Sequence, residues 1–126
     1  MDNATIPTVE AEVTLLTAAE GGRRATLKLD HTEAFYRPHL VVGDPRQREA
    51  IVDAKGVGTE DYLGVQFHRA ALELEPGASA RVRMHLMFYP ACRYERLQPG
   101  TTFTIREGRS VVGYGTILRR DDHGAI

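Results

Sequence analysis

The stretch FTIREGRSVVGYGTIL, Phe103 to Leu118, decides how the rest of the chain is read. It consists of two apolar strands folded around a charged tip, with Gly108 where the chain must reverse. Gly113 and Gly115 lie two apart, so they fall on one face of the second strand. There they leave room for a neighbouring backbone or side chain.

The same two-residue period recurs upstream. Val9-Glu10-Ala11-Glu12-Val13-Thr14-Leu15 alternates, stops at Ala19-Glu20-Gly21-Gly22-Arg23-Arg24, and resumes at Ala25-Thr26-Leu27-Lys28-Leu29, which predicts a first hairpin. Phe35 to Val42 is a further extended run, with an edge or bend expected at Pro38 because proline gives up one ladder donor. Arg46 to Lys55 reads as a short helix, capped by Asp44 with Pro45 at its first position, or as an irregular strand. Tyr62 to Phe67 is the next strand. Arg81 to Phe88 follows, and its alternation places Val82, Met84, Leu86 and Phe88 in the core. Pro76-Gly77 and Pro99-Gly100 mark turns. Short strands with evenly spaced turns predict an all-β chain: a single closed antiparallel barrel of about six to seven strands. Residues 1–8 and 120–126 are expected to be flexible tails of this one domain, which spans 1–126.

Composition narrows the function classes. Across 126 residues, 16 Lys and Arg face 17 Asp and Glu, so the chain has no overall electrostatic pull toward nucleic acid or anionic membrane. A lone cysteine, Cys92, makes no internal disulfide and fits a reducing compartment, where a structural thiol is expected. No run reaches the roughly 18 apolar residues of a membrane span. The expectation is a cytoplasmic protein.

No complete catalytic or metal motif is present. His31, His39, His68, His85 and His123 lack zincin spacing and read as ordinary strand or surface histidines, a meeting of His39 with His85 across strands being the lesser alternative. Ser79, Ser110 and Cys92 lack the setting of an activated nucleophile. The carboxylate pairs Glu10 with Glu12 and Glu73 with Glu75 read as solvated strand faces. Neither a GxGxxG nor a GxxxxGK[ST] string occurs, so no nucleotide, metal or other cofactor is expected.

Phe103-Thr104-Ile105-Arg106-Glu107-Gly108, continued by Val112-Gly113-Tyr114-Gly115, closely resembles the signature F-x-I-R-E-G-G-R-T-V-G-x-G that ends the C-terminal barrel domain of bacterial elongation factor Tu. Three further blocks follow that family's order. Ala11-Glu12-Val13 leading to Glu20-Gly21-Gly22-Arg23 resembles its first hairpin, Tyr36-Arg37-Pro38 its Y-R-P-Q strand, and Pro76-Gly77 its P-G-D turn. The resemblance covers roughly residues 9–38 and 76–118 and implies an antiparallel β-barrel. The family's nucleotide domain and second barrel have no counterpart, so no GTPase activity is implied. Glu107 and Gly108 match tip positions that contact transfer RNA in the family. The expected glutamine is His39 here, a basic residue is Tyr89, the second tip glycine is Arg109 and the following arginine is Ser110. The segment GDPRQREAIVDAKGVGTEDYLGVQF, 43–67, has no counterpart and is expected to carry this chain's own function.

Three functions follow as expectations. The first is a non-catalytic module that binds a protein partner, with Tyr36, Tyr62, Tyr89, Tyr94 and Tyr114 as anchors of a type enriched at interfaces. The second is transfer-RNA binding through Arg106, Glu107, Gly108 and Arg109 at the tip, with Arg23, Arg24, Arg37, His39 and Tyr89 as additional contacts. The third is an enzyme with no recognisable constellation.

Overall fold

The computed structural model describes residues 6–30, 36–70 and 72–122. His31, Phe35 and His123, and the outermost parts of both expected tails, lie outside the described residues. The strands are β1 (Thr8–Leu15), β2 (Leu27–Lys28), β3 (His39–Val42), β4 (Leu63–Gly64), β5 (Gln66–Phe67), β6 (Glu73–Leu74), β7 (Ser79–His85), β8 (Thr102–Glu107) and β9 (Ser110–Asp121). The chain is all-β. Among the described residues its helical content is one 3-10 turn, Ala18–Glu20, whose N-cap Thr17 and Glu20 form a reciprocal capping box.

Seven strands form one antiparallel sheet in the order β4-β3-β8-β9-β1-β7-β5. β4 and β5 stand at opposite ends of that order, yet Val65 alone separates them along the chain. The stretch from Leu63 to Phe67 therefore hydrogen-bonds to β3 with its first half and to β7 with its second, which brings the sheet round into a nearly closed barrel. Val9, Ala11, Val13, Leu40, Val82, Met84, Phe103, Ile105 and Ile117 contribute to one continuous core. Burial of this apolar surface drives folding at roughly 25 cal/mol per Å².

The hairpin that opens the sequence reading is present as β8 and β9. Glu107 pairs with Ser110 across the two-residue tip Gly108-Arg109, and Gly108 has φ +60°. A bulge after Ile105 lets Arg106 pair with Val111, leaving Val112 as the extra residue. Gly113 and Gly115 lie opposite Leu15 and Val13 of β1. A Cβ on Gly115 would stand 2.4 Å from the Glu12 carbonyl oxygen and 2.7 Å from the Phe103 ring, and one on Gly113 would stand 2.6 Å from the Thr14 carbonyl oxygen. These glycines allow close approach of β1.

Several expectations need correction. β1 and β2 do not form a hairpin: β1 has β7 on one side and β9 on the other, and β2 pairs with β6 instead. Both edges of β1 are taken by the long strands β7 and β9, so none is left for the two-residue β2. Arg46 to Lys55 is not a helix. Pro45-Arg46 is a turn held by Asp44, and Val52 bridges Gly58. Phe88 is 59% exposed, because β7 ends at His85 and a turn closed by Tyr89 N–H to the Leu86 carbonyl carries the chain out of alternation. Thr8 and residues 120–121 belong to β1 and β9 rather than to tails. Pro38 does precede the start of β3, but its carbonyl and that of Tyr36 accept from Val65 and Phe67, so this is the seam of the barrel and not a free edge.

Candidate functional site

Residues 43–62 leave β3 and return to β4 as an arm laid across the outside of the barrel. Its anchor is Arg106. Strand alternation turns this side chain outward, yet it is 0% exposed because the arm covers it. Its two terminal nitrogens each donate at 3.0 Å to the two oxygens of Glu60, one of them also donates to the Tyr62 hydroxyl, and Nε donates to Thr104 Oγ1. The Glu60 side chain is 8% exposed and accepts further bonds from the Gln47 amide and the Ile51 backbone N–H. The Arg106 bonds, then those from Gln47 and Ile51, outweigh burial and hold the Glu60 carboxyl down to about 2. One carboxylate thus fixes both ends of the arm to the barrel.

Beyond Glu60 the arm makes its own small hairpin. Asp53 Oδ1 accepts from the N–H groups of Lys55 and Val57, the Asp53 N–H donates to the Val57 carbonyl, and Gly56 takes φ +79°. Ile51 and Val57 stand 56% and 55% exposed on it, with Val52 beside them. The barrel supports this projection from below, where Arg109 at the β8–β9 tip donates to the Gly56 carbonyl at 3.0 Å.

The tip residues expected to form a polar contact surface are mostly engaged internally. Arg106 is buried and is no contact residue, which corrects the sequence reading. Glu107 accepts from Arg23 at 2.5 Å and from the Tyr36 hydroxyl at 2.6 Å, and burial, then Glu107, pushes the Tyr36 hydroxyl well above its ordinary range. Arg23 also lies over the Tyr36 ring. Gly108, Arg109 and Arg24 are exposed. Arg37 donates to Gln66 at 2.7 Å, and Tyr89 is 49% exposed. His39 meets the Tyr62 ring edge-on and does not meet His85, whose Nε2 lies 3.0 Å from His68 Nδ1. Burial, then the charges of His68 and Arg83, lowers His85 below the usual imidazole range.

A cleft of about 650 Å³ separates the arm from the turn at 92–97. Tyr94 fixes that turn: its buried hydroxyl donates to the Gly64 carbonyl at 2.7 Å and accepts the Phe88 N–H, and burial pushes it up to about 12. Among the described residues no group of three or more His, Cys, Asp and Glu is arranged to hold a metal, and no helix is long and apolar enough to cross a membrane. Tyr62, expected as an interface anchor, instead accepts from Arg106. Glu60, Gln47 and the exposed aliphatic residues of the arm escaped the sequence reading as individual residues. Their one signal was an arginine at an outward position of a strand otherwise flanked by apolar residues. Comparison of the chain with protein-family models and with curated proteins finds no match.

Proposed function

We propose that this chain is a non-catalytic, translation-associated binding module of the build its sequence resembles, the C-terminal barrel of elongation factor Tu, and that it contacts a protein partner through the arm at 51–59. One observation carries the reading: the side chains matched to RNA contact are largely engaged inside the molecule, while Ile51, Val52 and Val57 stand exposed on a hairpin ordered by its own hydrogen bonds. Ordered aliphatic side chains on a supported projection suit insertion into an apolar pocket of another protein. Among the residues expected to contact RNA, the exposed Gly108, Arg109, Arg24 and Tyr89 offer a small and partly engaged surface.

The test is affinity capture by the tagged chain, with and without nuclease, beside an Ile51→Asp/Val57→Asp variant. The expected result is protein retained regardless of nuclease and lost with the variant. Labelled aminoacyl-tRNA is titrated in parallel at low and physiological salt, where phosphate-driven binding weakens steeply. A dissociation constant well below about micromolar at physiological salt, raised by Arg24→Ala/Arg109→Ala, makes this a transfer-RNA binder instead.

A further inference from the structure

We infer that the cleft between the arm and the 92–97 turn binds a small organic anion with an apolar body, such as a medium-chain carboxylate. Its volume of about 650 Å³ falls within the range of small-molecule sites. Val41, Val42, Ile51 and Leu63 line it with aliphatic surface, and Arg93 and Arg96 of the 92–97 turn belong to the same lining.

The charge balance of the lining selects an anion. Glu60 is saturated by four donors, two from Arg106 and one each from Gln47 and Ile51. Asp44 is paired with Arg46. That leaves Asp61 against Arg93 and Arg96, none of which has a side-chain hydrogen bond or ion pair among the described residues. Two guanidiniums exceed one carboxylate, and a guanidinium's planar fork matches a carboxylate's two oxygens.

The arginines also rise from a fixed base. Tyr94 and Leu97, interleaved with them, are buried. The Leu97 N–H donates to the Tyr94 carbonyl, which also accepts from Arg120 at 2.6 Å. Anchoring every other part of the turn leaves less conformational freedom to lose when the guanidiniums close on a ligand.

The experiment is a titration of the full isotope-labelled chain with octanoate at neutral pH, followed by amide shifts, with octanol, octylammonium and inorganic phosphate as comparison probes. Saturable shifts are expected at Val41, Val42, Leu63, Arg93 and Arg96 with octanoate, and weaker or absent ones with the other three. Arg93→Gln/Arg96→Gln, at exposed positions whose loss leaves the fold intact, should weaken octanoate binding about tenfold or more. Asp61→Asn should tighten it, since the one opposing charge is removed. Absence of saturation, equal binding of octanol, equal binding of phosphate, or indifference to the arginine variant each overturns the assignment.

Discussion

Arg106 and Glu60 show how far a residue's role depends on what lies over it. On a bare barrel Arg106 would stand in water; beneath the arm it is a buried charge whose solvation comes from Glu60, Tyr62 and Thr104. Glu60→Gln leaves that guanidinium buried without its counter-ion, and the expected loss of stability is about 3–5 kcal/mol, measured by urea denaturation at neutral pH. A cost near zero would mean that the arm readily lifts and lets water in. The pair also sets an acid response. Glu60's carboxyl is lower in the folded chain than its unfolded value of 4.5, so its contribution is complete above pH 4.5 and is lost as pH falls toward about 2. Wild type should lose stability across that window relative to Glu60→Gln, and parallel pH profiles would contradict the assignment. The sequence displayed Arg106 in an alternating strand but not its cover, because the pairing with Glu60 is tertiary and leaves no periodic trace.

At the scale of elements, alternation and turn residues were enough to locate β1, β7, β8 and β9, since each has one face in the core and a period of two. Partner choice was less legible. The glycine turn after β1 has the composition of a hairpin turn, but β1 is already bonded on both sides. Gly113 and Gly115 are where close strand packing is most exposed to test. Valine at either position places Cβ against a β1 carbonyl oxygen that cannot move without breaking the ladder, so Gly115→Val and Gly113→Val should each cost about 1–3 kcal/mol or more by the same denaturation measurement. Neutral results at both would remove the packing role. The arm was the least legible element: its turns rest on Asp44 and Asp53 side chains and on Glu60, with a single isolated bridge in place of a ladder.

For the whole molecule, stability should divide between barrel and arm. β1, β8 and β9 are held by long ladders over a continuous core, whereas residues 51–59 are exposed throughout and reach the barrel chiefly through Glu60 and Arg109. Hydrogen exchange should therefore open the arm well before those three strands. Equal protection of arm and barrel would require an anchor not seen among the described residues. The closed sheet and its turns were readable from the sequence as a barrel; its seam was not. Leu63 to Phe67 is an unremarkable strand by composition, and its division between β3 and β7 follows only from closure of the circle.

Thr8 lies opposite Asp121, so the first and last strands run antiparallel with their outer ends side by side. A pulling force applied through those ends would load the ladder one rung at a time, peeling β1 from β9 like a zipper, and would not stress all its rungs in shear together. Despite its nearly closed sheet and continuous core, the barrel should yield to low tension along this axis, and single-molecule extension through these ends should find it mechanically soft.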